Sequence, residues 1–331
     1  MSSHPSFPRI PLSPSPICLG TGDLGAAISR EDSLTLLDAY VDHGGNFLDT
    51  AKVYSDWIPG ESSRSEKIIG EWMKQRGKRA RIVLATKGAH PDLAAMHIPR
   101  LSRGEIEADL HASLQHLQTD VIDLYWLHRD DPARPVEDIL ATLNDALKAG
   151  KIRAFGCSNW RVERLREANA FAAQHGLSSF VAIQVLWNLA VVDWAAIGDP
   201  TIVTMDSALW EYHRQTGLAA IPFSATANGL FNKLERGAVN RGSAEPRSVS
   251  ALNPLHQKMY AAPENLRRYE RAHQLALQKG LRLTQVVLGY LLSQPFPTFP
   301  IIGPKTVVQL LDSLTAMEVR LSVDEVKFLT G

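Results

Sequence analysis

Gly45-Asn46-Phe47-Leu48-Asp49-Thr50-Ala51 is the stretch on which the reading of the fold turns. Upstream, Leu34–Val41 repeats apolar residues at helical spacing and stops at His43-Gly44-Gly45, a helix-end signal. Downstream, the short run Asn46–Leu48 shows no polar alternation and closes on the carboxylate of Asp49. A strand with one wet face alternates apolar and polar residues, whereas an unbroken apolar run suits a strand covered on both faces. Seven further runs share this character: Ile17–Leu19, Ile82–Thr86, Val121–Leu127, Ile152–Cys157, Phe180–Val185, Ala219–Phe223 and Thr298–Ile302.

Helical patterns fill the gaps. Ser102-Arg103-Gly104-Glu105 has capping-box spacing ahead of a run to Leu117. Val136–Ala149, Val162–His175 and Asn265–Lys279 each stop at a glycine, and Thr284–Ser293 is stopped by Pro295 and Pro297. Thr306–Thr315 follows the last run. Eight strand-like runs, each followed by helical material, predict βα units and a parallel sheet. An open doubly wound sheet is the rival. Its GxGxxG turn is missing after the first strand, where Gly20-Thr21-Gly22-Asp23-Leu24-Gly25 does not open a helix. The expectation is therefore an α/β chain folded as one (β/α)8 TIM barrel over residues 17–331, preceded by an irregular Ser- and Pro-rich tail at 1–16. The stretches 190–216 and 231–263 exceed the simple pattern and read as long loops on the side of a barrel where sites form.

Composition narrows the function. Of the 331 residues 45% are hydrophobic and 21% charged, enough for a large core, and the net charge of +0 makes no bulk case for nucleic acid or an anionic membrane. No apolar run approaches ~20 residues, and Met1–Pro16 lacks the features of a signal peptide, so no membrane span and a cytoplasmic setting are expected. Cys18 and Cys157, far apart and without metal-ligand spacing, read as core residues; no metal site is expected, and self-association is left open.

Reactive groups of a barrel sit at the C-terminal ends of its strands. Asp49 closes the second run, with Tyr54 five residues on; Lys87 closes the third and His128 the fourth. Singly, each has an ordinary role as cap, solvated cation or core imidazole. Together they form a chemically sensible set. Tyr54 can donate a proton to a carbonyl oxygen that receives hydride, and Lys87 is expected to lower its pKa of about 10. Asp49 can pair Lys87, and His128 can hydrogen-bond and orient the carbonyl.

This set resembles the aldo-keto reductases over nearly the whole chain. Other matching stretches are Leu19-Gly20-Thr21-Gly22, Gly60 to Glu66, Ala85-Thr86-Lys87-Gly88, Gly156-Cys157-Ser158-Asn159, Gln184-Val185 with Trp187-Asn188, and Ile302-Gly303-Pro304-Lys305 leading to Gln309. The resemblance implies a tetrad of Asp49, Tyr54, Lys87 and His128 with Tyr54 as the acid, and a nicotinamide cofactor bound first. It places Ser158, Asn159 and Gln184 at the carboxamide, Gly20 and Thr21 near the ribose and Phe223 under the ring, and counts Asp49 among the cofactor contacts. Phe223-Ser224-Ala225-Thr226 departs from the family's usual Tyr or Trp, Ser, Pro, Leu; a phenyl face still serves for stacking, while Ala225 in place of Pro leaves the path of the next loop open. Ser224, Thr226, Gly229 and Lys233 are carried over as pyrophosphate contacts. Gly303-Pro304-Lys305-Thr306 stands at an expected helix N-terminus, a ready anion site. Lys305 adds charge for a 2′-phosphate, favouring NADPH/NADP+ while leaving NADH open. Gln309, Asp312 and Ser313 stand at positions that reach the adenosine, Ser313 where Asn is common.

For the substrate, Tyr54 and His128 are joined by Trp57 and Trp160 as candidate walls of the pocket; Trp187 reads as structural, and Trp126 is expected to face the helices. The implied activity is reversible reduction of aldehydes or ketones to alcohols, with a small-molecule carbonyl or alcohol as partner. Three alternatives stay open: a sugar or alcohol dehydrogenase on the same site, a non-catalytic regulatory subunit like the potassium-channel accessory branch of this family, and a lyase or isomerase using Lys87 as a Schiff-base amine.

Overall fold

The expected apolar runs form eight short parallel strands in a computed structural model that describes residues 7–239 and 252–331. They are β1 (Cys18–Gly20), β2 (Phe47–Asp49), β3 (Val83–Gly88), β4 (Ile122–Leu127), β5 (Ile152–Ser158), β6 (Ala182–Gln184), β7 (Ala219–Ala220) and β8 (Ile301–Ile302). Each pairs with its sequence neighbour, giving the order β7-β6-β5-β4-β3-β2-β1-β8. The ring closes between β7 and β8, where Ala220 bridges Thr298 and Phe299 N donates to Ala220 O at 2.9 Å. Eight parallel strands closed in this way, with helices outside, are the (β/α)8 barrel.

The outer layer begins with α1 (Arg30–Asp42), α2 (Arg64–Arg76), α3 (Arg103–His116), α4 (Val136–Lys148) and α5 (Val162–Gln174), each lying between successive strands. The capping box expected at α3 forms in both directions between Ser102 and Glu105. The stretch 190–216 is not one loop: a 3-10 turn at Trp194–Ile197 and helix α6 (Ser207–Thr216) occupy much of it. Asp206 caps α6 through Leu209 N, an N-cap signal that sequence reading passed over. Likewise the stretch 231–263 holds most of α7 (Leu230–Val239) and all of α8 (Pro254–Met259); residues 240–251 of it lie outside the described residues. Helices α9 (Glu264–Lys279), α10 (Leu283–Leu292) and α11 (Val307–Leu314) follow as expected, and α12 (Val323–Thr330) ends the chain behind a second capping box, Ser322 with Glu325.

Two apolar clusters divide the core. The larger lies between strands and helices; the smaller fills the barrel with Cys18, Phe47, Val83, Ala85, Leu124, Trp126, Ala154, Ala182, Ile221 and Phe299 among others. Trp126 therefore points inward, not toward the helices. Gly156 on the neighbouring strand makes room for it, since a Cβ there would stand 2.3 Å from the indole. The described part of the tail, residues 7–16, has no helix or strand, yet it is packed. Phe7 closes the base of the barrel against Phe47 and Phe299, with ring centroids 6.0 and 5.4 Å away. Ser15 and Asn46 exchange hydrogen bonds, Ser15 N to Asn46 Oδ1 at 2.6 Å and Asn46 N to Ser15 Oγ at 3.1 Å. Burying a phenylalanine of this kind contributes about 1.5–3 kcal/mol. No helix among the described residues is long and apolar enough to cross a membrane.

Candidate active site

The inward face of each strand repeats every second residue. Phe47 is followed on that face by Asp49, Val83 and Ala85 by Lys87, Leu124 and Trp126 by His128, Ala154 and Gly156 by Ser158, and Ala182 by Gln184. The apolar plug thus gives way at one end of the barrel to a polar layer. There Lys87 Nζ donates to Asp49 Oδ2 at 2.5 Å, to Tyr54 Oη at 2.9 Å and to Thr50 O at 3.0 Å. Gln184 Nε2 holds the other oxygen of Asp49 at 2.6 Å. The Tyr54 and His128 rings meet edge to face, with centroids 5.8 Å apart. The four residues selected from strand ends therefore converge in one place.

Burial opposes charge on both members of the Lys87–Asp49 pair. For Asp49 it wins, and the carboxyl is raised from its ordinary range despite the ammonium and the Gln184 amide. For Lys87 the carboxylate and the two side-chain hydrogen bonds outweigh it, and the ammonium is held above its usual value. His128 is pushed well below the histidine range by burial and then by the Arg129, His90 and Lys87 charges, so its imidazole is neutral. Its Nδ1 is buried without a hydrogen-bond partner among the described residues. Tyr54 departs from expectation: Lys87 does pull its pKa down, but burial outweighs that pull and the phenol ends above its ordinary value. The hydroxyl is consequently a protonated donor.

Around the mouth, Thr21 Oγ1 donates to Asp49 O at 3.0 Å, and Gly20 pairs with Asp49 in the sheet. Ser158 and Asn159 are buried beside Gln184; Asn159 stands at φ +61°, with its N–H on Gln184 O at 2.9 Å and its Nδ2 on Ser158 Oγ at 3.0 Å. Phe223 is half-buried, with its N–H on Val185 O, and Ser224 follows at φ +55°. Thr226 and Gly229 lead into α7, where Lys233 Nζ donates to Asn228 O at 3.2 Å. Gly303-Pro304-Lys305 precede α11, whose cap is Thr306. Lys305 is exposed, 3.6 Å from Asp23, and the Gln309 side chain accepts its N–H at 2.8 Å. Asp312 pairs with Arg282 at 2.9 Å, and the Ser313 hydroxyl turns back onto Gln309 O.

On the substrate side, Trp57 is 53% exposed and packs edge-on to Tyr54 at 6.5 Å. Trp160 is fully buried: its ring packs against Phe180, Arg164 stacks over it, and its Nε1 donates to Arg129 O. It presents no face to a pocket, because it is packed into the apolar layer between strands and helices, and it is withdrawn as a wall. Two neighbours went unread in the sequence. His90 packs edge-on to His128 at 4.6 Å, and Arg129 lies buried directly behind it. A histidine two residues past Gly88, and a cation next to the candidate imidazole, were the available signals. A cavity of about 290 Å³ opens beside Lys87 and His90, lined also by Lys52, Val53, Pro91 and Leu93. No group of His, Cys, Asp or Glu able to hold a metal ion occurs among the described residues.

A closed (β/α)8 barrel carrying this acid, phenol, ammonium and imidazole at one mouth has the form of a carbonyl-reducing enzyme. Residues 16–331 match the Aldo/keto reductase family, and the chain belongs to that family of oxidoreductases. Among similar proteins, norsolorinic acid reductase B of Dothistroma septosporum is 30% identical over 327 residues, covering 95% of this chain and 76% of its own. Norsolorinic acid reductase stcV of Emericella nidulans is 30% identical over 329 residues, covering 94% and 76%. The uncharacterized oxidoreductase YrpG of Bacillus subtilis is 29% identical over 326 residues, covering 97% and 93%.

Proposed function

We propose that the chain reduces aldehydes or ketones to alcohols, reversibly, with NADPH as the preferred cofactor and Tyr54 as the proton donor. The observation that carries this reading is the Lys87 ammonium held between Asp49 and Tyr54 beside a neutral imidazole. The donor set at the mouth suits a nicotinamide nucleotide: Ser158, Asn159 and Gln184 offer hydroxyl and amides for a carboxamide, Phe223 a ring face, and Lys305 at the start of α11 a cation for a 2′-phosphate. A bound reduced nicotinamide supplies the hydride. His128 and Tyr54 hydrogen-bond the substrate oxygen, and the Tyr54 proton passes to that oxygen as negative charge develops on it. The phenolate left behind is stabilised by Lys87 at 2.9 Å and regains its proton from solvent. A cytoplasmic setting fits the two free, buried cysteines.

The test is a fluorescence titration with NADPH and NADH, followed by an aldehyde, ketone and sugar panel read at the nicotinamide absorbance. Norsolorinic acid belongs in the panel because relatives bear its name. NADPH binding with carbonyl-dependent oxidation supports the reading. Tight binding without turnover across the panel rejects it in favour of a regulatory role.

A further inference from the structure

The excursion after β6 is stitched back to the barrel at its end: Leu186 N donates to Val203 O at 2.9 Å and Met205 N to Leu186 O at 3.1 Å. Within it, Asp199 and Thr201 take hold of Arg129, the residue after His128. Arg129 Nε donates to Thr201 Oγ1 at 2.8 Å and Nη2 to Asp199 Oδ2 at 3.2 Å. Its third nitrogen, Nη1, donates to His128 O at 3.0 Å. Thr201 Oγ1 is itself tied to Asp199 Oδ1 at 2.6 Å. Two residues on, Val203 N donates to Asn159 Oδ1 at 3.1 Å, which turns Asn159 Nδ2 toward Ser158 Oγ and, at 3.5 Å, toward His128 O. The contacts form a closed circuit from His128 through Arg129, Asp199 and Thr201, Val203 and Asn159, back to His128.

We propose that Arg129 is a positioning residue that sets the spacing and angle between His128 and Asn159. Its guanidinium uses all three nitrogens, two on the Asp199–Thr201 segment and one on the His128 carbonyl, and a planar fork holds such an arrangement where a point charge on a flexible stem does not. What the two ends hold, a carbonyl oxygen at His128 and a carboxamide at Asn159, rests on the function proposed above; the circuit itself does not. Hydride transfer depends steeply on donor–acceptor placement, so a fastening that fixes both partners acts on the chemical step as well as on binding.

The test compares the full chain with Arg129→Met, Arg129→Lys and the double variant Asp199→Asn/Thr201→Val. Hydrogen exchange is followed across residues 199–205, NADPH affinity by fluorescence, and turnover of 4-nitrobenzaldehyde with NADPH and with its 4-deuterated form. Arg129→Met is expected to speed exchange at Val203, to weaken NADPH several-fold, and to lower kcat about ten- to a hundred-fold with a larger isotope effect. Arg129→Lys should fall between it and the parent. A variant with parental NADPH affinity and isotope effect, whatever its Tm, overturns the proposal. If Arg129→Met does not fold, the double variant carries the same expectations from the other end of the contact. A parent chain that neither binds NADPH nor reduces the probe defeats the proposed function itself, whereas an active parent with an indifferent Arg129 variant defeats this inference alone.

Discussion

Lys87 Nζ stands 2.9 Å from Tyr54 Oη, and the phenol nevertheless keeps its proton, because burial outweighs the pull of the ammonium. The pair is therefore arranged as a donor with a waiting counter-charge: the ammonium matters most once the proton has left.

The first prediction concerns that donor. Tyr54→Phe removes the hydroxyl and keeps the ring that packs on Trp57 and His128. Carbonyl reduction should fall about 10²- to 10⁴-fold, with NADPH affinity nearly unchanged in a fluorescence titration. With the phenol raised, the parent rate should stay flat through neutral pH and decline only above the ordinary tyrosine value of about 10. A comparable loss of cofactor affinity in the variant contradicts a purely chemical role.

A second concerns the buried pair beneath it. Lys87 and Asp49 are each 2% exposed, so Lys87→Met strands a carboxylate in the barrel mouth. Removing one partner of a buried pair costs about 3–5 kcal/mol. Chemical denaturation should show that loss for Lys87→Met, and a smaller one for Lys87→Met combined with Asp49→Asn. Equal losses in both variants would show that the stranded charge is not its source.

Third, acid should loosen the fold at a site far from the mouth. Burial pushes His213 down to about 4, although its ring nitrogen meets Leu218 O at 2.7 Å. An unfolded histidine titrates near about 6.5, so between those values the unfolded chain binds a proton that the folded chain refuses. The contribution is whole above that window and is lost as pH falls through it, reaching roughly 3 kcal/mol. Urea midpoints at mildly acid and neutral pH should differ less in His213→Gln than in the parent.

Fourth, Lys305→Ala should weaken NADPH about tenfold while leaving NADH within about twofold, the effect of removing one charge-assisted contact. Lys305 is exposed, and its neighbour Asp23 lies 3.6 Å away, so it is free to engage a phosphate without breaking a buried contact. Equal effects on both cofactors would remove the case for phosphate recognition there.

Much of this was legible in the chain itself. Eight two-sided apolar runs with helices between them determine a barrel, because backbone polar groups and apolar side chains leave few other ways to cover both faces of so many strands. The period of two along each strand then carries Asp49, Lys87, His128, Ser158 and Gln184 inward at the same end. The capping boxes at Ser102 and Ser322 and the aspartate cap at Asp206 are equally local, and the second and third were readable though unread.

Tertiary structure alone decided the rest, because the deciding quantities are distances between residues remote in sequence. Whether Lys87 lowers the Tyr54 pKa depends on how deeply both are buried, which no spacing records. Trp160 was lost to the core because Phe180 and Arg164 close around it, and Trp126 turned inward because Gly156 leaves a gap on the next strand. The hold of Asp199 and Thr201 on Arg129 spans 70 residues and more, and only the folded excursion after β6 brings them together. Local sequence determines which side chains face the mouth; packing determines their charge, their partners and how firmly they are held.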